Sequence, residues 1–238
     1  MNFDGTDAYL EGATNYALAD GESQLNISAW LKFDARSNGF GYLCSVKPSG
    51  GNRTFEIRFQ QTNNNVVVSF YVNTAANNNR DSRTLGVIEG DGLWHHLMIC
   101  VDLGRAGRQE AKFYFDGVEK TVATAGFFAS TTFPSNPSPL IIGESLGLGH
   151  YFNGSIDELA LWVGTDLYDD DKVAEIYGGG KGVDLKNLAT VPAPTTWFRM
   201  GDEATVVGDD ITIPDQIGSY NLTSEAMVAA DVQEDTPG

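Results

Sequence analysis

Cysteine is almost missing from this chain. Cys44 and Cys100 are the only two in 238 residues, and two thiols that far apart make no disulfide framework, so the fold has to rest on its core. Both sit in apolar, strand-like surroundings, Tyr-Leu-Cys-Ser-Val and Leu-Met-Ile-Cys-Val. Buried free thiols are the default there, and one disulfide stays open if the two strands are neighbours. Positive charge is also scarce. Fifteen Lys and Arg against 32 Asp and Glu give a net charge of -17, which repels phosphate backbones and anionic lipid and excludes nucleic acid as a partner. The carboxylate excess suits divalent cations as well as a soluble surface. No apolar run approaches the roughly 20 residues of a membrane helix. The opening Met-Asn-Phe-Asp-Gly has no basic segment followed by an apolar stretch, so neither membrane insertion nor a signal peptide is read from it. Export then requires another route, such as release inside a particle.

What the chain does have is period-two alternation. Leu25, Ile27, Ala29, Leu31 and Phe33 share one face of a strand, and Asn26, Ser28, Trp30 and Lys32 share the other. Further strands are predicted around Phe55-Ile57-Phe59, Val66-Val68-Phe70-Val72, His96-Met98-Cys100 and from Ala111 to Phe115. Turn chemistry separates them at 47–53, 63–65 and 77–81. Asp116-Gly117 between two alternating runs predicts a hairpin, because a type I′ turn needs positive φ at both central positions. Helix is expected in one place, 169–177, where acidic residues open an Ala-Glu-Ile-Tyr stretch and Gly178-Gly179-Gly180 stops it. At this length an all-β chain is expected to form a single domain over 1–238, with a main sandwich at 1–180. A Pro192–Pro194 break precedes a C-terminal strand segment at 195–224. The acidic residues 229–238 read as a tail or as a strap across the sandwich.

Four segments in order carry a family likeness: Asn2 to Leu10 (NFDGTDAYL), Leu25 to Leu31 (LNISAWL), Asp91 to Leu97 (DGLWHHL) and Phe152 to Leu159 (FNGSIDEL). Together they resemble the laminin-G-like domains of the concanavalin A-like lectin and glucanase superfamily. That implies an all-β fold, a two-sheet antiparallel jelly-roll β-sandwich. Trp197 to Asp202, followed by Ile213 to Tyr220, resembles the leader strand that usually precedes the Phe-Asp-Gly motif. Its place at the end implies a circular permutation, with the segment completing the sandwich beside the N-terminus; a remnant of a next repeat is the alternative. The layout also resembles virion and adhesion proteins of tailed bacteriophages, which implies a virion or otherwise extracellular location.

The glucanase relatives use alternating carboxylates, Glu-x-Asp-x-Glu, on one strand. Here the nearest fragment, Glu89-Gly90-Asp91-Gly92-Leu93, lacks the third acid, and Asp157 and Glu158 are adjacent, so on a regular strand they face opposite sides. No serine or cysteine nucleophile has an assignable base, and the chain is expected not to be an enzyme. His95 and His96 likewise face apart on a strand, which leaves His96 a core histidine rather than a metal ligand. The resemblance implies a structural calcium ion tying the Phe-Asp-Gly region to the Ile-Asp-Glu strand, with Asp157 as the side-chain ligand and Asp4 and Gly5 as neighbours. Glycan binding calls for a flat aromatic beside hydrogen-bonding groups. The loop-like candidates are Tyr42, Arg53, Asn64, Asn78, Arg80 and Tyr151, while Trp30, Trp94 and Trp162 are assigned to packing. The expected function is a non-enzymatic virion or adhesion protein whose lectin-like domain binds cell-surface polysaccharide. A virion scaffold, capsid decoration or fibre protein acting through other virion proteins, with a homo-oligomer in the fibre version, is the alternative, and a glycoside hydrolase relative is the weakest.

Overall fold

The computed structural model describes residues 1–13, 18–34, 38–46, 53–62, 65–74, 77–85, 88–89, 91–105, 110–125, 130–135, 137–145, 147–233 and 237; at 38, 73–74, 77–85, 88–89, 110 and 122–125 it describes backbone only. In chain order the strands are β1 (Asn2–Asp4), β2 (Tyr9–Gly12), β3 (Gln24–Phe33), β4 (Asn38–Val46), β5 (Phe55–Thr62), β6 (Asn65–Thr74) and β7 (Asn77–Leu85). Next come β8 (Ile88–Glu89), β9 (Trp94–Asp102), β10 (Glu110–Phe115), β11 (Val118–Lys120), β12 (Val122–Ala125), β13 (Leu140–Ile142) and β14 (Asn153–Val163). Helix α1 (Asp170–Tyr177) follows, and β15 (Thr196–Phe198), β16 (Thr205–Val207), β17 (Asp210–Ile213) and β18 (Leu222–Glu225) complete the set.

These strands form two antiparallel sheets. One has seven strands in the order β1-β14-β3-β9-β10-β11, with β15 also on β14. The other has eleven, in the order β12-β7-β6-β5-β4-β13-β2-β18-β17-β16, with β8 on β6. The inward residues of both sheets, among them Phe3, Leu25, Phe55, Phe70, Phe113 and Phe198, bury one continuous apolar core. The alternation of β3 puts Ile27, Ala29 and Leu31 into that core.

The hairpin and helix signals hold, and the turns expected at 47–53 and 63–65 lie almost wholly outside the described residues. Asp116 and Gly117 have φ of 52° and 73° and join β10 to β11. Asp169 caps α1 by accepting from the Asp171 N–H at 2.9 Å, and Gly178 ends the helix at φ 64°. The segment 77–81, expected as a turn, is instead the start of β7: Asn73 pairs with Arg80 and Val72 with Asp81. The hydrogen bonds offered by β6 outweigh the turn preference of the asparagines. Cys44 packs in the core between the sheets and Cys100 on the far side of the seven-stranded sheet; both are buried and free.

A second apolar cluster lies outside the seven-stranded sheet. Met98, Cys100, Tyr114, Ala160 and Trp162 face outward and are covered by Leu167, Val173 and Ile176 of the α1 region and by Leu185 and Val191. The C-terminal segment then joins both sheets next to the N-terminal strands. β15 continues along the same edge of β14 as β1, and β18 pairs with β2, Leu222 opposite Gly12 and Glu225 opposite Tyr9.

Candidate functional site

The outer face of the eleven-stranded sheet is built by register. Glu11, Ile141, Ser45, Glu56 and Tyr71 form one row across β2, β13, β4, β5 and β6. Tyr42, Arg58 and Ser69 form the next. A bulge between Tyr42 and Cys44 turns both Leu43 and Cys44 into the core and keeps Tyr42 and Ser45 outside. The connection from β13 to β14 runs along this face and contributes Glu144, Ser145, His150 and Tyr151. Gly41, paired with the core residue Phe59, clears the return of this connection toward β14: a Cβ there would lie 2.9 Å from the Tyr151 carbonyl oxygen and 3.0 Å from the Phe152 Cα.

The centre is a buried polar network. Arg53 is ion-paired to Glu56, whose other oxygen accepts the Ser145 hydroxyl at 3.2 Å. Burial and the Glu56 charge push the Tyr42 hydroxyl up to about 12, against the opposing charges of Arg58 and Arg53. The Arg58 guanidinium lies between two rings, 4.8 Å from the Phe40 centroid and 4.9 Å from that of Tyr71. Ring pairs flank this centre: Phe40 and His150 at 5.5 Å, Tyr9 and Tyr151 at 6.5 Å. The Tyr9 hydroxyl is raised by burial, then by Glu225, Glu11 and Glu144. One end of the face is therefore cationic and aromatic, and the other is acidic and aromatic. Such a surface can stack the apolar face of a ring and hydrogen-bond its substituents.

The seven-stranded sheet offers a different site. On β14, Asp157 sits opposite Trp30 and Ala160 opposite Ser28, so β14 spends one residue more than β3 over that stretch. Glu158 takes φ 50°, and Ile156 and Leu159 both stay in the core. Asp157 and Glu158 are thus both outside, which corrects the expectation that adjacency would separate them. Burial first, and then the Glu158 charge, lifts the Asp157 carboxyl to about 7. Glu158 is raised mainly by burial; one of its oxygens accepts the Trp197 indole N–H at 2.7 Å and the other the Arg199 Nε–H at 3.2 Å. Glu158, Trp197 and Arg199 border a cleft of about 630 Å³ whose walls include Lys181, Asp184, Lys186 and Glu203. Beneath α1, the Ser28 hydroxyl lies 2.8 Å from His96 Nε2, a serine with a base that sequence reasoning missed because the two residues lie 68 positions apart. Both are buried, beside a void of about 10 Å³, room for one water and not for a substrate. Burial drives His96 down to about 4.

The sequence-predicted residues are distributed unevenly. Tyr42, Arg53 and Tyr151 come to the same face; Tyr42 and Arg53, expected on loops, are buried, because β4 runs through Tyr42 and the Glu56 pairing draws Arg53 in. Asn64 lies outside the described residues. Asn78 and Arg80 belong to β7, with side chains outside the described set. Asp157, expected as the side-chain ligand of calcium, and its expected neighbours Asp4 and Gly5 lie at different points of the β1–β14 pairing. Asp4 pairs with Asn153, four residues from Asp157 on β14, which is about 13 Å along a strand. One oxygen of Asp4 already accepts the backbone N–H groups of Thr6, Asp7 and Ala8, and Gly5 packs on Asn153. What ties the two segments is the β1–β14 ladder, and among the described residues no three metal-ligating side chains converge.

Residues 4–165 match a laminin G family described as the concanavalin A-like lectin/glucanases superfamily. No curated protein matches. Among solved structures, the SAP-like pentraxin of Limulus polyphemus is 15% identical, with 98% of this chain and 95% of the pentraxin covered and a TM-score of 0.59. The CBM40 of the Ruminococcus gnavus IT-sialidase, solved bound to alpha2,3 sialyllactose, is 15% identical, with 75% of this chain and 97% of that module covered and a TM-score of 0.51. Domains LG4-5 of the mouse laminin alpha1 chain are 20% identical, with 67% of this chain and 40% of that two-domain chain covered and a TM-score of 0.48. At these identities the likeness is one of fold.

Proposed function

Because the chain belongs to the concanavalin A-like lectin/glucanase superfamily, we propose that it is a lectin-like module that binds a saccharide on the outer face of the eleven-stranded sheet and performs no chemistry on it. The observation that carries this is the pair of ring couples, Phe40 with His150 and Tyr9 with Tyr151, on the same face as the partly exposed Arg58, which the buried Tyr42, Arg53 and Glu56 underlie. The Ruminococcus gnavus CBM40 shows that a saccharide ligand is compatible with this fold. Absence of catalysis is supported by the occupation of both Glu158 oxygens and by the sealed Ser28–His96 pair. Attachment to cell-surface polysaccharide, on a virion or otherwise outside a cell, is the role that such binding would serve.

The test is a screen of the purified chain against bacterial polysaccharides and common glycans, with Tyr151→Ala and Phe40→Ala beside the wild type. Saccharide-specific binding that weakens in both variants is expected. Silence across the screen overturns the reading and favours protein contacts. One observation supports that second reading: β16 ends its sheet with Val206 and Val207 exposed, an unpaired edge without a guarding charge on the strand.

A further inference from the structure

The outer face of the eleven-stranded sheet is charged unevenly within a strongly acidic molecule. Two guanidinium groups, of Arg58 and Arg53, and one carboxylate, of Glu56, act on the Tyr42 hydroxyl. Arg53 and Glu56 are ion-paired to each other, which leaves Arg58 as the surplus charge. Among the described residues no carboxylate is paired with Arg58, and its buried Nε has no hydrogen-bond partner. Its held interactions are the stacks on Phe40 and Tyr71. A guanidinium fixed between two rings has lost its freedom to turn before any ligand arrives, so less is lost on forming its hydrogen bonds. Arg58 is partly exposed, and so are Phe40 beside it and, more fully, His150.

We propose that Arg58 is the recognition group for a carboxylate on the ligand, so that the saccharide bound by this face is an acidic one. A planar fork matches a planar carboxylate through two parallel hydrogen bonds, while Phe40 and His150 offer ring surface to the sugar that carries it. The opposite end of the face sets the direction in which the ligand lies. Tyr9 and Tyr151 stand among Glu225, Glu11 and Glu144, which repel a second carboxylate and accept from hydroxyl or amide groups. The ligand therefore places its acidic residue over β5 and its neutral residues toward β2. This assignment rests on the saccharide-binding reading and adds to it a ligand class and a polarity.

The experiment uses the full chain and immobilised polyacrylamide conjugates of glucuronate, N-acetylneuraminate, glucose, galactose and 6-sulfogalactose. Binding is read by interferometry at two salt concentrations, for wild type, Arg58→Lys and Arg58→Gln, with melting temperature as the check on folding. The expected result is preference for at least one carboxylated conjugate over the neutral ones. That preference should fall about tenfold or more in Arg58→Gln, recover in part in Arg58→Lys, and weaken at high salt, with the melting temperature little changed. Equal binding of neutral and acidic conjugates, unaffected by Arg58→Gln, overturns the carboxylate assignment and leaves the saccharide reading standing. A sulfated conjugate that outbinds both carboxylated ones overturns it as well. No binding by any conjugate overturns both.

Discussion

The two outward faces of this sandwich start from the same alternating pattern and end differently. On the seven-stranded sheet, Met98 and Cys100 of β9 and Ala160 and Trp162 of β14 are apolar on the outside too, and α1 with the segment after it seals them into a second core. On the eleven-stranded sheet the outward residues are tyrosines, arginines and glutamates. Burial there is achieved by pairing charges, as in Arg53 with Glu56, and by stacking Arg58 on rings. The covered face is packed as a second core, and the polar face is the one for which we propose recognition. Function is thus to be sought where outward residues are polar and partly buried without an apolar cover.

The strongest way to break this contrast is to delete packing from the covered face. Trp162 is fully buried and its indole donates to the Pro192 carbonyl at 2.8 Å. Trp162→Ala should cost about 3–5 kcal/mol in chemical denaturation, whereas Phe40→Ala on the other face should cost clearly less while removing saccharide binding. Equal losses for the two variants would refute the division of labour. Gly41→Ala forces the 143–152 connection away from β4 and should cost about 1–3 kcal/mol; it should also weaken binding, because it displaces Tyr151 and His150. Glu158→Gln removes the carboxylate facing Arg199 but also a charge that burial disfavours, so it should change stability by less than about 1 kcal/mol with ligand binding intact.

A pH comparison sharpens the account of the covered face. Asp157, raised by burial and Glu158 to about 7, binds its proton more tightly in the folded state, so its contribution is lost as pH rises from about 4 to 7. His96, lowered to about 4 by burial, resists protonation in the folded state, so its contribution is lost as pH falls from about 6.5 to 4. The two oppose each other. Asp157→Asn should leave the histidine effect uncovered, and urea midpoints should then rise more steeply from pH 4 to 6.5 than in the wild type. The smallest expected effect is that of calcium: with Asp4 on β1 opposite Asn153 and Asp157 four residues further along β14, adding calcium or chelator should shift the melting temperature by less than about 1 °C, and a larger stabilisation would reveal a binding site.

The strands, the Asp116-Gly117 hairpin and α1 were legible because each has a local cause: alternation, positive φ, a cap. The candidate face was legible in part. Tyr42, Arg53 and Tyr151 stand out by their chemistry, and the strand register of Tyr42, the Arg53–Glu56 pair and the Tyr151–Tyr9 ring contact bring them to one face. Arg58 and Tyr71 read as plain strand residues and Phe40 carries no local signal, since nothing in the sequence says which side of β5 lacks a cover. The β14 bulge was invisible for a firmer reason. Glu158 adopts a left-handed backbone without the glycine or asparagine that usually marks one, so the rule that neighbours face apart failed without warning. β7 misled in the opposite sense, its asparagines signalling a turn where a partner strand was waiting.

The pairing of β18 with β2 has a mechanical consequence. Tyr9, where β2 begins, is opposite Glu225, where β18 finishes, so tension drawn across these two strands from that end meets the ladder one rung at a time. Its last rungs lie by Gly12, where the Tyr220 hydroxyl donates to the Ala13 carbonyl and accepts from the Leu140 N–H. Pulled in that direction, the joint peels instead of shearing, and Tyr220 is the rivet at which the peeling stalls.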